Sequence, residues 1–232
     1  MKENGLVIAV DGPSGAGKST LARILAKHLR YIYIDTGAMY RAIGWKARRE
    51  GIDPADEKGL EGLCARTEVT IENNNNDPRF YVDGIDVSGE IRTPQMGMMA
   101  SAVSKSPAVR SRLLKIQRDL GKKGGVVMDG RDIGTVVFPD ADIKFFLEAT
   151  TEERGKRRFL ELKARRMDVD LEQITREIRE RDRQDSGRTI APLKKADDAL
   201  LIDTSTLSIT EVLDRMLKEI TEVNVRHGSI IS

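Results

Sequence analysis

Short, nearly unbroken apolar runs alternate along this chain with longer stretches in which apolar residues recur every three or four positions. The runs "LVIAVD" (Leu6 to Asp11), "YIYID" (Tyr31 to Asp35), "GVVMD", "IKFFLEA" and "ALLID" have strand length and lack the polar alternation of a half-exposed sheet. They predict buried strands. Between them "TLARILAKHL" and "GAMYRAIGWKARRE" have helical spacing, the second with Met39, Ala42, Ile43 and Ala47 on one side. Leu60 to Arg66 looks helical too. Helical spacing returns from Pro94 to Lys122, with a restart at Ser106-Pro107, since proline is tolerated in a first turn. Two charged helical stretches follow, Thr151 to Arg166 and Leu171 to Asp185. "SITEVLDRMLKEITEV" closes the pattern, with Ser208 and Glu211 at the spacing of a capping box. Strands alternating with helices imply an α/β fold, a parallel sheet covered on both faces.

One segment breaks the rhythm. "EVTIENNNNDPRFYVDGIDVSGEI" alternates apolar and polar residues and is interrupted at Asn73 to Pro78 and at Asp83-Gly84, as a small antiparallel meander would be. Asp53 to Ile91 therefore reads as an inserted subdomain. The asparagines Asn73 to Asn76 read as a solvated turn, and no function attaches to them. No internal repeat is visible.

Composition narrows the class. The chain has 232 residues, enough for one domain with a sizeable insertion. Its 39 basic and 37 acidic residues nearly balance at +2, which argues against wholesale nucleic-acid binding while leaving room for local arginine clusters that hold small anions. The single cysteine, Cys64, excludes an intramolecular disulfide and reads as a buried small hydrophobe in a reducing compartment. No signal peptide or spanning apolar stretch stands out, so a cytoplasmic protein is expected.

The first run leads into "GPSGAGKST", which matches G-x-x-x-x-G-K-[ST] between a strand and a helix. Glycines allow successive N–H groups to converge on phosphate oxygens at a helix N-terminus. Gly12, Pro13, Ser14, Gly15, Ala16, Gly17, Lys18, Ser19 and Thr20 are thus the expected ATP site. Lys18 would reach the β and γ phosphates and the Ser19 hydroxyl would sit on Mg2+. The fold class that follows is a P-loop NTPase. A Gly-rich turn with no ligand is the bland alternative.

In parallel sheets ligands gather beyond the carboxyl ends of the strands. That rule places the P-loop, "DTGAMYR" and "DGRD" around one cleft. A phosphoryl acceptor that is itself a phosphate needs more positive charge than Lys18 and Mg2+ supply, which draws attention to Arg41, Arg110, Arg131, Arg154, Arg157, Arg158, Arg181 and Arg188. Arg131 stands at a strand's carboxyl end and Arg41 one helical turn past "DTG". In "ERDRQDSGR", Arg181, Asp185 and Arg188 fall on one helical face, an arrangement that a solvated salt bridge would equally explain.

"GPSGAGKST", "DTGAMYR", "VDGIDVSGEIRT", "DGRDIGTVVFPDADIKFFLEA", "ERDRQDSGR" and "APLKKADDALLIDT" together, in that order, resemble bacterial cytidylate kinases across nearly the whole chain. The resemblance implies ATP + (d)CMP giving ADP + (d)CDP with Mg2+, by a monomer that takes small-molecule substrates and no nucleic acid or membrane. It implies a core of residues 1–35, 92–153 and 189–232, a monophosphate-binding region 36–91 containing the antiparallel insert, and a mobile lid 154–188. It places Thr36, Arg41, Ser101, Arg110, Arg131, Asp132, Arg181, Asp185 and Arg188 in the CMP site, with Lys18, Arg131, Arg158 and Arg188 acting on the transferred phosphoryl group. Thr36 stands where some members carry serine, and either residue offers a hydroxyl.

The chemistry of the base fits that placement. Cytosine presents an amino donor at N4 beside acceptors at N3 and O2, so a carboxylate at Asp132 can accept from N4 while Arg110 and Ser101 donate. Uracil reverses that edge. Asp185 suits ribose hydroxyls, while Thr36, Arg41, Arg131 and Arg188 suit the acceptor phosphate. Lid arginines Arg154, Arg157 and Arg158 would arrive on closure. Three rivals exist. A regulatory GTPase is disfavoured because "DVSG" lies in the meander and "KKAD" lacks the asparagine of N-K-x-D. A nucleic-acid module is disfavoured by the acids interleaved in Arg154 to Arg188. A UMP- or AMP-specific monophosphate kinase is the third.

Overall fold

The structure, a computed structural model, describes residues 5–74 and 77–226. The five apolar runs form strands β1 (Val7–Asp11), β2 (Ile32–Asp35), β6 (Val126–Asp129), β7 (Ile143–Glu148) and β8 (Leu200–Asp203) of one sheet in the order β2-β6-β1-β7-β8. Every pairing in it is parallel. Alternate residues of each strand serve opposite faces, the period of a pleated sheet. Val7, Ala9, Ile34, Val126 and Met128 join one core with α2 (Thr36–Arg49), α3 (Glu57–Arg66), α4 (Pro94–Val103) and α5 (Pro107–Gly121). Ile8, Val10, Tyr33, Val127 and Phe145 join the other with α1 (Lys18–Leu29) and α8 (Ile209–Arg226).

The insert is a three-stranded antiparallel sheet of β3 (Val69–Asn74), β4 (Asp77–Val82) and β5 (Ile85–Asp86). Its alternation works as expected: Phe80 and Val82 are buried while Arg79 is exposed. Phe80, Val82 and Val87 bury into the same core as Met39 and Ile43 of α2, so the insert has no separate core of its own. The tip of the asparagine turn, Asn75 and Asn76, lies outside the described residues.

Helices α6 (Thr151–Ala164) and α7 (Leu171–Ser186) form a hairpin closed by a small cluster of Leu162, Ile174 and Ile178. The capping box forms as spaced: Glu211 Oε2 accepts from Ser208 N at 2.8 Å and Ser208 Oγ accepts from Glu211 N at 3.2 Å. Cys64 is buried, and burial pushes its thiol pKa up.

The elements differ from the periodicity in several places, among them the expected break at Asn73 to Pro78, where β3 continues to Asn74 and β4 begins at Asp77 with Asn73 paired to Pro78 and Asn74 to Asp77. α3 starts at Glu57 rather than Leu60, because Asp56 caps it by accepting from Gly59 N at 3.0 Å. α1 starts at Lys18 rather than Thr20, which brings Lys18 and Ser19 into the first turn. Residues Ile133–Val137, which periodicity leaves unassigned, form a single π-helical turn after β6. No helix among the described residues is long and apolar enough to cross a membrane.

Candidate functional site

Each of the five parallel strands ends in a carboxylate: Asp11, Asp35, Asp129, Glu148 and Asp203. Sequence reasoning passed over these acids, although an acid closing every apolar run is visible in the sequence. Asp129 is the most connected. Its Oδ2 accepts from Ser19 Oγ at 2.9 Å and its Oδ1 from Tyr33 OH at 2.8 Å, while its carbonyl accepts from Thr36 Oγ1 at 2.7 Å. One residue therefore ties the start of α1, strand β2 and the start of α2 together. The P-loop helix, "DTGAMYR" and "DGRD" thus meet at one edge of the sheet, beyond the carboxyl ends of its strands. Burial, reinforced by the nearby Asp35, raises the Asp129 carboxyl to about 6.

The P-loop lies against β7. Gly12 has φ +144°, and a Cβ there would stand 2.0 Å from the Leu147 carbonyl oxygen, so only glycine fits. Gly17 (φ +87°) precedes the first turn of α1. Lys18 folds over the loop and donates from Nζ to the Pro13 carbonyl at 2.6 Å. Burial, with Arg131 and Arg181 nearby, pulls its pKa well below the usual lysine range. Ser14 contributes its carbonyl to Arg154 at 3.0 Å, the buried Ala16 contributes its own to Thr204 at 3.3 Å, and Ser19 and Thr20 are exposed at the helix start. Ser19 Oγ and Asp129 Oδ2 are hard oxygen donors at a helix N-terminus, and no group of three or more metal-ligating side chains exists among the described residues. Mg2+ suits such a place, because it keeps several waters and takes only one or two protein oxygens beside phosphate.

Beside Lys18 lies a cluster of arginines. Arg131 donates from Nε to Asp185 Oδ2 at 2.8 Å, and Arg188 bonds the other oxygen of the same buried carboxylate. Arg41 donates to Asp35 at 2.9 Å. The Nε atoms of Arg41 and Arg181 are buried and have no hydrogen-bond partner among the described residues. Arg181 is pulled down to about 10 by burial and by Arg131. Buried cations that repel one another and carry unused donors form a site for an anion. Next to it Arg110 and Asp132 form an ion pair with both side chains less than 10% exposed (8% and 9%). Burial pushes the Asp132 pKa up, against the pull of Arg110, Arg188 and Arg131. The Arg110 guanidinium stands 5.8 Å from the ring centre of Tyr40, whose hydroxyl is raised to about 12 by burial. Ser101 of α4 donates to Gln184 Oε1 of α7 at 3.4 Å.

Arg154, at the base of the α6–α7 hairpin, is buried and donates to Ser14 O at 3.0 Å, Ala149 O at 2.9 Å and Asp182 Oδ2 at 2.6 Å. It joins the hairpin to the P-loop. Arg157 binds Thr204. Arg158, expected at the transferred phosphoryl group, pairs instead with Glu161 one turn on, at 2.7 Å, and is not brought to the cleft. A partner three residues away on the same helix needs no closure to be reached. Lys18, Arg131, Arg181, Asp185, Arg188 and the Arg110–Asp132 pair lie within one electrostatic cluster, with Thr36 and Arg41 bonded to the ends of β6 and β2. Those that sequence reasoning missed are Asp11, Asp35, Asp129 and Tyr33.

The cytidylate kinase family profile matches residues 8–222. A cytidylate kinase of Syntrophotalea carbinolica is 54% identical over 217 residues, 94% of this chain and 92% of that protein. The cytidylate kinase of Bacillus subtilis is 48% identical over 220 residues, 95% of this chain and 98% of its own length. A solved structure of an uncharacterized protein from Eubacterium ventriosum shares the fold, with a TM-score of 0.52 at 14% identity, covering 93% of this chain and 98% of that one. Matched along almost its whole length by the profile and by relatives of its own size, this chain belongs to the cytidylate kinase family.

Proposed function

We propose that the protein catalyses the ATP-dependent phosphorylation of CMP and dCMP to CDP and dCDP by in-line transfer of the γ-phosphoryl group. The observation that carries this reading is the buried Arg110–Asp132 pair beside the cluster of Arg41, Arg131, Arg181 and Arg188, one step along the sheet edge from the P-loop. A base edge with an amino donor next to two acceptors finds complementary groups there, and a phosphate finds the unused guanidinium donors. Family membership supports the same substrate.

In this reading residues 12–20 hold ATP, with Lys18 leaving Pro13 O to bond the transferred phosphoryl group. Ser19, hydrogen-bonded to Asp129, would hold Mg2+, which would supply charge neutralisation on the phosphates. Thr36, Arg41, Arg131 and Arg188 hold the acceptor phosphate, Asp185 the ribose, and Ser101, Arg110 and Asp132 the base. A nucleotide monophosphate already presents an anionic oxygen, so alignment and charge stabilisation carry the rate and no strong general base is needed. Residues 36–91 act as the monophosphate-binding region on a core of 1–35, 92–153 and 189–232. Residues 154–188 act as a lid that excludes water, and Arg158 would have to leave Glu161 to take part. The protein works as a cytoplasmic monomer on small molecules, without nucleic acid or membrane.

The test is ADP production with ATP and each of CMP, dCMP, UMP, AMP and GMP. Turnover with CMP and dCMP well above the others is expected. Equal or better turnover with UMP or AMP would assign the protein to another monophosphate specificity.

A further inference from the structure

Asp132 occupies the N-cap position of the Ile133–Val137 turn, yet its side chain makes no capping bond. An aspartate in that position ordinarily accepts the N–H two or three residues on. Here the first N–H groups of the turn go elsewhere: Ile133 N donates to Asp11 Oδ1 at 2.9 Å and Gly134 N to Asp11 Oδ2 at 2.7 Å. Asp11 is the last residue of β1, immediately before Gly12 of the P-loop. The Asp132 carbonyl meanwhile accepts from Val136 N at 2.9 Å and Val137 N at 3.1 Å, so the peptide that follows its Cα is held at both its carbonyl and its N–H. The Asp132 carboxylate is left to Arg110.

We infer that Asp11 is a positioning residue for base recognition: by capping the Ile133–Val137 turn from a neighbouring strand it keeps the Asp132 carboxylate out of the cap and turned to Arg110 and the incoming base. The inference rests on the reading of Asp132 as the residue that contacts the cytosine amino group. Both Asp11 oxygens are in use as acceptors, so a carboxylate is needed. An asparagine would accept from one N–H and set its own amide hydrogens against the other. The deprived N–H is buried, and a buried donor takes the nearest free acceptor. That acceptor is the Asp132 carboxylate, already at the N-cap. Capping its own turn, Asp132 would release Arg110 and lose the direction it needs toward the base.

The experiment measures kcat and KM for CMP and UMP, and KM for ATP, at about pH 8, where Asp11 is the carboxylate, in wild type, Asp11→Asn, Asp132→Asn and the double variant. Asp11→Ser, which removes the carboxylate without adding an amide donor, serves as a second probe should Asp11→Asn unfold. The expected result is a CMP-to-UMP preference narrowed by about tenfold in Asp11→Asn, the scale of one lost base-edge contact, mainly through KM for CMP. The double variant should be no less selective than Asp132→Asn, since both changes remove the same contact. A merely structural role would lower activity on CMP and UMP by the same factor and leave the ratio untouched, which overturns the inference. If Asp132→Asn narrows the ratio while neither Asp11 variant does, the inference alone fails. If Asp132→Asn leaves the ratio unchanged, the reading of Asp132 fails and the inference with it.

Discussion

Replacing Asp132 by asparagine separates base reading from structural support. The side chain is buried beside Arg110 and makes the pair's only carboxylate. Asparagine keeps an oxygen for the Arg110 guanidinium but removes the charge and presents an amide donor. Two consequences follow on different scales. For stability, deleting one partner of a buried pair outright costs about 3 to 5 kcal/mol, so Asp132→Ala should melt well below wild type. Asp132→Asn, retaining one hydrogen bond, should fall by a fraction of that. For discrimination, the cytosine amino group loses its acceptor, while uracil O4 gains a donor. A base-edge pair contributes about 1 to 3 kcal/mol of discrimination, so the CMP-to-UMP ratio of kcat/KM should narrow by roughly ten- to a hundred-fold. ADP release followed by a coupled pyruvate kinase and lactate dehydrogenase assay gives the ratio, and thermal unfolding gives the stability. If kcat/KM falls in parallel for both nucleotides, Asp132 does not read the base, and specificity moves to Ser101 and Arg110.

Lys18→Ala should abolish turnover and leave the melting temperature equal to or above wild type, because it removes a buried cation that Arg131 and Arg181 repel; near wild-type turnover in a folded variant would refute the P-loop assignment. Arg188→Ala should lower kcat more than it raises KM for CMP, with little loss of stability, since Asp185 keeps Arg131 at 2.8 Å; a change in KM alone would make Arg188 a binding residue only. The Asp11 carboxyl is raised by burial from 3.8 to about 7, so above about 7 it is the carboxylate that accepts from Ile133 N and Gly134 N, while at lower pH the folded state takes up a proton that the unfolded chain still releases; this contribution is complete below the unfolded value and lost as pH rises through about 7. The stability of wild type relative to Asp11→Asn should therefore increase as pH falls from about 8 to about 5, a trend that calorimetry would refute by finding a difference independent of pH.

The sequence by itself determined the layers of this fold and the phosphate loop. Five apolar runs became the five parallel strands, and the alternation of Val69 to Asp86 became a separate antiparallel sheet. These features are local: which residues face a core depends on spacing along one element, and the P-loop is one contiguous turn. What only the tertiary structure decided is which charge meets which. On spacing alone Asp185 has Arg181 and Arg188 on its own helix; in the structure α7 ends at Ser186, and Asp185 takes Arg188 from just past that end and Arg131 from just past β6, leaving Arg181 Nε without a hydrogen-bond partner among the described residues. Arg158 shows the reverse, a residue expected across the cleft that settles on Glu161 of its own helix. The Arg158 pair is one that helical spacing permits, but the Asp185 pairing does not follow from periodicity, because a charged side chain pairs with whatever lies within about 4 Å, and that depends on how separate elements pack. Asp11 and Asp129 follow the same logic. Each ends an apolar run and looks like a strand terminator, and only the parallel register, Val10 beside Asp129 and Asp35 beside Asp129, gathers the strand ends into one edge. There Asp129 receives Ser19 and Tyr33, and Asp11 caps a turn that no hydrophobic pattern announces, since its N–H partners lie on a segment brought near by the sheet.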